Sequence, residues 1–213
     1  MIIGRLRTWV GWFAAVGLLL VSCSYFATNQ TPRVFNPGEY CVGVGVSSFA
    51  VSATGGWHGR GQVYARAGIG HDIDVGMGYA SPLGVRLDLK RQFLREPLLV
   101  AASLEASYDY RATGRSYPTV DPHFIGLHPL FIFGNDNIWG GARSIFQVEI
   151  TDSGDTRFHA YPGLFVGGAY GIGIDELRVL PEAALYVDPG LDHDRVLFYP
   201  SGGLSIQIDF WKP

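Results

Sequence analysis

Cysteine is scarce in this chain of 213 residues, which has only Cys23 and Cys41. Charged residues make up 16% of the chain, against about 25% in a typical soluble domain. The lysines and arginines form no basic run or stripe, so nucleic acid is not an expected partner. The mostly apolar stretch from Trp9 to Ser22 is too short for a membrane-spanning helix, which needs roughly 20 residues.

The N-terminus has the layout of a secretory signal. Arg5 and Arg7 precede the apolar stretch, which ends in Leu20-Val21-Ser22-Cys23. This ending resembles the lipobox of bacterial lipoproteins, and the resemblance implies a signal peptide over residues 1–22, cleavage before Cys23 and a lipid on that cysteine. Ser24 stands where an Asp would imply inner-membrane retention, so the resemblance indicates the outer membrane. The alternatives are an ordinary signal peptide beside Cys23, or an uncleaved anchor.

Residues 23–39 are predicted to be the lipidated N-terminus and a polar tether. Pro32 and Pro37 interrupt this stretch, and neither a helical nor a strand period persists in it. If Cys23 carries lipid, Cys41 has no partner for a disulfide within the chain. The remaining residues, 40–213, are enough for one domain or one closed barrel.

From Tyr40 onward the dominant pattern is alternation of apolar and polar residues, without a convincing amphipathic helix. In residues 83–91, for example, Leu87 and Leu89 point to one face while Asp88 and Lys90 point to the other. The pattern predicts an all-β, antiparallel up-and-down barrel of about ten strands, with eight as the smaller alternative. The predicted strands are 40–52, 61–69, 72–80, 83–92, 97–110, 122–133, 137–150, 157–170, 177–187 and 198–211.

Two features indicate that the apolar face meets lipid. Connections at 53–60, 111–121, 151–156 and 188–197 are longer than most of those between them, as in outer-membrane barrels with long outer loops and short periplasmic turns. Aromatic residues on the apolar face fall near the strand ends, where membrane interfaces select them. The expected outer rim has Tyr79, Tyr108, Tyr110, Phe158 and Phe198, and the expected inner rim has Phe133, Tyr170 and Phe210.

The chain at this point resembles small outer-membrane β-barrel proteins as a class. The resemblance rests on the strand pattern and on the near-terminal segment "GGLSIQIDFW", from Gly202 to Trp211, although Lys212 and Pro213 follow the aromatic residue. It implies an outer-membrane location in a Gram-negative-type bacterium, contact with outer-membrane lipid, and handling by the barrel-assembly and lipoprotein-processing machinery. A monomer is expected.

The polar face would then line the lumen. Its charges have both signs, and burying a single ion without a partner costs several kcal/mol, so they are expected to pair. The predicted network consists of Arg66, Asp74, Arg86, Asp88, Lys90, Glu105, Arg143, Glu149, Arg178, Glu182 and Asp209. It could be a salt-bridged plug or the lining of a narrow pore, and an interior of eight to ten strands is barely wider than its own side chains.

Signals for chemistry are weak. Six scattered histidines lack any metal-ligand spacing, so neither a metal nor a cofactor is expected. His128 or His159 could join a serine and an acid in a triad, which would make the chain a lipid-modifying enzyme. No catalytic residue is assigned.

Three functional hypotheses follow. The first is a lipid-anchored outer-membrane barrel with a structural or surface-interaction role, or a narrow pore; its first contact candidates are the loop residues Trp57, Arg115 and Tyr117. The second is a soluble lipocalin-like barrel in the periplasm or at the surface, with the apolar face inward around an apolar ligand. The third is the lipid-modifying enzyme.

Overall fold

The structure is a computed structural model, and it describes residues 30–51, 56–80, 83–110, 123–151, 154–190 and 196–210. The predicted signal peptide, Cys23, Arg115 and Tyr117 lie outside these ranges. Within them, no helix has the length and apolarity needed to cross a bilayer.

The described residues form one antiparallel sheet of eleven strand segments. These are β1 (Tyr40–Val51), β2 (Gly56–Gly70), β3 (Ile73–Ala80), β4 (Leu83–Leu94), β5 (Leu99–Tyr110), β6 (His123–Gly134), β7 (Ile138–Ile150), β8 (Thr156–Gly168), β9 (Tyr170–Ile172), β10 (Ile174–Asp188) and β11 (Leu197–Phe210).

Segments β8 and β9 are two parts of one strand of the barrel. Both pair with β10, and the register is the same on either side of the break, with Gly167 opposite Glu182 and Tyr170 opposite Val179. The break, at Ala169, lies opposite Leu180 and next to Pro181, which has no N–H to donate to a ladder. The barrel therefore has ten strands, as the sequence predicted.

Two further prolines within strands, Pro129 and Pro162, also lie at gaps in the ladder. Pairing between β6 and β7 skips from Leu127 to Leu130, around Pro129. The pairs of β8 with β10 extend only to Gly163, next to Pro162. Each of these three prolines thus lies within a strand and removes hydrogen bonds on one side of it.

The sheet closes on itself, because β11 pairs with both β10 and β1. Tyr40 at the start of β1 lies opposite Phe210 at the end of β11, and their rings stack at 4.8 Å. Because the number of antiparallel strands is even, the first strand begins at the same end of the barrel at which the last strand ends. The all-β closed barrel is confirmed, and its ten strands exclude the eight-stranded alternative.

The two ends of the barrel differ in their connections. We call the end with residues 71–72, 95–98, 135–137 and 173 the turn end, and the opposite end the loop end. His71 and Asp72 both have positive φ, 54° and 59°, as the two central residues of a type I′ hairpin turn do. The segment "GIGHD", residues 68–72, thus ends in a tight turn between β2 and β3.

Most predicted strand bounds agree with the structure within two residues, but two do not. The loop predicted at 53–60 is wrong over its second half, since β2 begins at Gly56 and pairs with β1 from there on. Likewise β10 begins at Ile174 rather than 177. Glycine and polar residues at the start of β2 hide the strand from propensity arguments, whereas backbone pairing with β1 stabilises it.

The apolar face of the sheet points outward. Leu87 is 58% exposed and Ile206 is 45% exposed on the outer surface, whereas Glu105 is buried inside. A lipocalin-like barrel would have the reverse arrangement, with aliphatic residues in the interior. The soluble-barrel hypothesis is therefore wrong for this fold.

The interior is not polar throughout. On the wall built by β6 to β10, near the turn end, an apolar cluster lies inside the barrel. Its members are Leu130, Ile132, Trp139, Phe165, Ala169 and Leu180. Alternation predicts polar residues in the interior, and this part of the wall is the exception because β6 is apolar on both faces.

Residues 30–39, which we call the strap, lie across the mouth of the barrel at the turn end. Gln30, Pro32, Val34 and Phe35 are buried there. The prediction of a polar tether over 23–39 is therefore wrong for this described part, because inward-facing side chains of β3 and β4 bind its backbone.

Candidate functional site

Every second side chain of each strand points into the lumen. Most charged side chains of the strands lie among these inward positions. The turn-end half of the lumen contains a network centred on Arg66 of β2. The guanidinium of Arg66 donates hydrogen bonds to the carboxylates of Asp74 on β3 and Asp88 on β4. The ammonium of Lys90 lies 3.2 Å from the second oxygen of Asp74. Two cations thus share two carboxylates in a buried space, where each charge needs a partner.

Gly76 makes room for this network. It faces the lumen between Asp74 and Gly78, and a Cβ there would lie 2.2 Å from Oδ2 of Asp88. Any larger residue would displace the carboxylate that Arg66 binds.

A second group of charges crosses the lumen nearer its middle. Glu105 of β5 accepts a hydrogen bond from Arg143 of β7 at 2.9 Å and lies 3.8 Å from Arg86 of β4. One carboxylate therefore ties together three strands.

The remaining predicted charges also face inward. Arg178 lies 3.1 Å from Asp209, across the β10–β11 pair. Glu149 meets Nε2 of His159 at 2.8 Å towards the loop end. Glu182, on β10, is half-buried. All the charged residues predicted for the lumen thus lie in it, arranged as several groups rather than one chain.

Sequence reasoning missed two parts of the lumen. Arg60 and Asp109 form a buried pair, with Nη1 2.5 Å from Oδ1. The predicted connection at 53–60 includes Arg60, although Arg60 alternates with Gln62 and Tyr64 on the inward face. The hydroxyl of Tyr64 lies 3.1 Å from Gln207 across β1, a contact that depends on closure of the barrel.

A small cavity lies beside these groups. It has a volume of about 30 Å³, next to Tyr64, Arg66 and Glu105. A cavity of this size has room for a water molecule or two. The side chains of Arg66, Arg86 and Glu105 around it are buried.

The two histidines considered for catalysis lie in different places. Nε2 of His128 lies 2.7 Å from Oγ of Ser107, but its Nδ1 is buried with no hydrogen-bond partner among the described residues. A triad requires an acid at that nitrogen to orient the ring. The carboxylate of Glu149 instead lies beside the other histidine, His159. The ring of His159 also stacks on Tyr161 at a centroid distance of 6.0 Å. The described geometry does not assemble a triad at His128.

No group of metal-ligating side chains occurs within the ranges that the structure describes. Cys41 is a free thiol and is buried, facing the lumen near the turn end. Of the three contact candidates, Trp57 lies in β2 rather than in a loop, and Arg115 and Tyr117 fall outside the described residues.

Aromatic rings occur at both ends of the outer surface. Tyr79, Tyr108, Phe158 and Phe198 are exposed towards the loop end. Phe133, Tyr170 and Phe210 are exposed at the turn end, and between the two groups the outer surface is largely aliphatic. The molecule is therefore a closed barrel with an apolar outer belt, two aromatic rims and an ion-paired interior.

Comparison with solved structures finds matches of low sequence identity and low TM-score. Ail, the attachment invasion locus protein of Yersinia pestis, solved with the heparin analogue sucrose octasulfate, is 14% identical over 82% of this chain and 99% of its own, with a TM-score of 0.33. The translocator domain of autotransporter NalP from Neisseria meningitidis is 12% identical over 97% and 96%, with a TM-score of 0.39. Neisserial surface protein A is 13% identical over 81% and 96%, with a TM-score of 0.33. No family model matches the chain, and no curated protein does.

Proposed function

We propose that this chain is a lipid-anchored outer-membrane barrel with a structural or surface-interaction role. The observation that carries the proposal is the contrast between the two faces of the sheet. Aliphatic residues such as Leu87 cover the outside, and ion pairs such as Arg143–Glu105 lie within. In hydrocarbon every backbone polar group needs an internal partner, and a closed barrel provides these partners without an exposed edge.

The filled lumen favours a structural or surface role over free diffusion of solutes. Charges of opposite sign meet at the level of Arg66 and again at the level of Glu105. Ten strands enclose little more than their own inward side chains. We therefore expect no steady conductance when the protein is placed in a planar bilayer. Steady single-channel steps in the unmodified protein would favour the pore.

Lipid attachment at Cys23 is the second part of the proposal. It is supported by the lipobox-like ending Leu20-Val21-Ser22-Cys23 and by the position of the strap. The segment from Cys23 to Gln30 spans at most about 25 Å when fully extended. A lipid on Cys23 is thereby restricted to the leaflet at the turn end. If the loop end faces the outside of the cell, this is the periplasmic leaflet.

Labelling with radioactive or clickable palmitate in a Gram-negative host tests the anchor. We expect label in the full-length protein and none in Cys23→Ala. The matched control is Cys41→Ala, which removes the other cysteine of the chain and should keep the label. Label retained in Cys23→Ala would contradict the anchor.

The barrel itself has an independent test. A folded outer-membrane barrel migrates differently on a gel before and after heating, because detergent does not unfold its strand ladder in the cold. We expect this shift for protein extracted from outer membranes, in both cysteine variants. Protein that stays soluble without detergent once residues 1–23 are removed would contradict the membrane barrel.

A further inference from the structure

The strap is bound through its backbone by side chains that point into the lumen. The ammonium of Lys90 donates hydrogen bonds to the carbonyl oxygens of Thr31, at 3.0 Å, and Arg33, at 2.6 Å. The N–H of Val34 donates to Oε1 of Gln92 at 3.2 Å. Hydrogen bonds to the backbone of a short segment are also how many proteins bind peptides.

Apolar burial and close approach add to these bonds. Val34 and Phe35 are buried against the mouth of the barrel. Gly68 of β2 lies directly against the strap, since a Cβ on it would be 2.2 Å from the carbonyl oxygens of Phe35 and Asn36. Glu39 then accepts a hydrogen bond from the N–H of Gly68 at 3.0 Å and leads the chain into β1.

The strap is nevertheless separate from the strand ladder. Among the described residues, its backbone pairs with the barrel only beside Gly68, through Pro37 and Glu39. Its other bonds to the barrel wall run mainly to side chains, including Asp74, which also pairs with Arg66 and Lys90. Undocking of residues 30–36 would therefore break no hydrogen bond between the ten strands.

Above the strap, the lumen contains polar atoms that need water. Nε2 of Gln62, Oδ2 of Asp109, Nδ1 of His128 and Nε2 of Gln147 are buried without a hydrogen-bond partner among the described residues. A buried polar group without a partner is costly, and water is its usual partner. The polar interior thus has groups that water would reach once the mouth is open.

We propose that the turn end of the lumen is a peptide-binding mouth occupied by residues 30–36 of the chain itself, and that this strap is a removable stopper. Docked, it shields the lumen from the solution at the turn end. Undocked, it admits water and small ions to the level of Arg66 and Cys41. The inference concerns access to the lumen and does not depend on lipid attachment at Cys23.

Cys41 provides a native reporter for this inference. It is 1% exposed, faces the lumen beside Arg66, and is a free thiol. A small charged methanethiosulfonate reagent should reach it only when the strap is out of the mouth. Peptide mapping by mass spectrometry separates its modification from that of Cys23.

Gly68→Ala is the principal test in the full-length protein purified from membranes. The added methyl group has no room beside Phe35, so it should expel the strap without changing any lumen charge. We expect Cys41 to react at least about tenfold faster, because the labelling rate follows the open fraction. The control is Gly61→Ala on the same strand, where a Cβ meets nothing within 4 Å; its labelling rate should equal that of the unmodified protein.

A second variant alters the strap alone. Val34→Asp places a charge on a buried strap position and leaves every strand of the barrel intact. It should raise the labelling rate as Gly68→Ala does, while heat-modifiable mobility reports a folded barrel. Unchanged Cys41 labelling in both variants, with folded barrels, would overturn the inference. Faster labelling in Val34→Asp alone still supports it, since that variant depends only on undocking.

Discussion

Arg143 on β7 and Glu105 on β5 meet at 2.9 Å across the interior, with β6 between their strands. The same carboxylate lies 3.8 Å from Arg86 on the other side. Two guanidinium groups thus share one acid in the middle of the barrel. Loss of that acid would remove the negative charge that lies between two buried positive ones.

Replacement of Glu105 is therefore expected to be strongly destabilising. Removing one partner of a buried ion pair costs about 3–5 kcal/mol, because an uncompensated charge remains. We expect Glu105→Gln to lower the free energy of unfolding by an amount in this range, measured by urea unfolding of the barrel in micelles. Glu176→Gln is the matched control, since Glu176 is exposed, and it should change stability by less than about 0.5 kcal/mol. Equal effects of the two substitutions would contradict the buried network.

The outer face gives a prediction that depends on depth in the membrane. Leu87 is 58% exposed midway along β4, and Leu94 is 54% exposed at its turn end. Arginine on the lipid face costs about 2–4 kcal/mol at the bilayer midplane and about 0–1 kcal/mol near the interface. Leu87→Arg should thus destabilise the protein in lipid vesicles much more than Leu94→Arg does. Similar losses of stability at the two positions would contradict a hydrocarbon layer centred near Leu87.

The apolar cluster inside the barrel gives a third prediction. Ile132 is fully buried among Leu130, Trp139 and Phe165, whereas Ile138 is 61% exposed on the outer surface. Truncating a buried isoleucine to alanine costs about 2–5 kcal/mol, since a cavity remains. We expect Ile132→Ala to fall in this range, and Ile138→Ala to cost less because lipid chains can fill the space. The comparison uses the same unfolding measurement, and a larger loss for Ile138→Ala would be inconsistent with an inward cluster.

Much of the fold could be predicted from alternation alone. Leu87 and Asp88 differ in polarity and are neighbours, so their opposite faces can be read directly from the sequence. The same pattern assigned Asp74, Glu105 and Arg143 to the lumen. It could not identify their partners, because those contacts depend on which strands lie opposite one another after closure.

Two parts of the interior gave no such signal. Strand β6 is apolar at Leu130 and Ile132 as well as on its lipid face, so alternation does not distinguish its two sides. The strap has no period because Lys90 and Gln92 bind its backbone rather than a repeating set of side chains. Arg60 was missed for a third reason: glycines beside it made the start of β2 resemble a loop.

The pairing of Tyr40 with Phe210 places a constraint on the order of assembly. The first strand finds one of its two neighbours only when the last strand is present, so a growing or truncated polypeptide has two bare edges. A chain that stops before Leu197 would expose the free sides of β1 and β10 in the membrane, where unpaired backbone is costly. Closure of this barrel therefore requires β11, and a chain cut short is expected to be cleared by proteolysis.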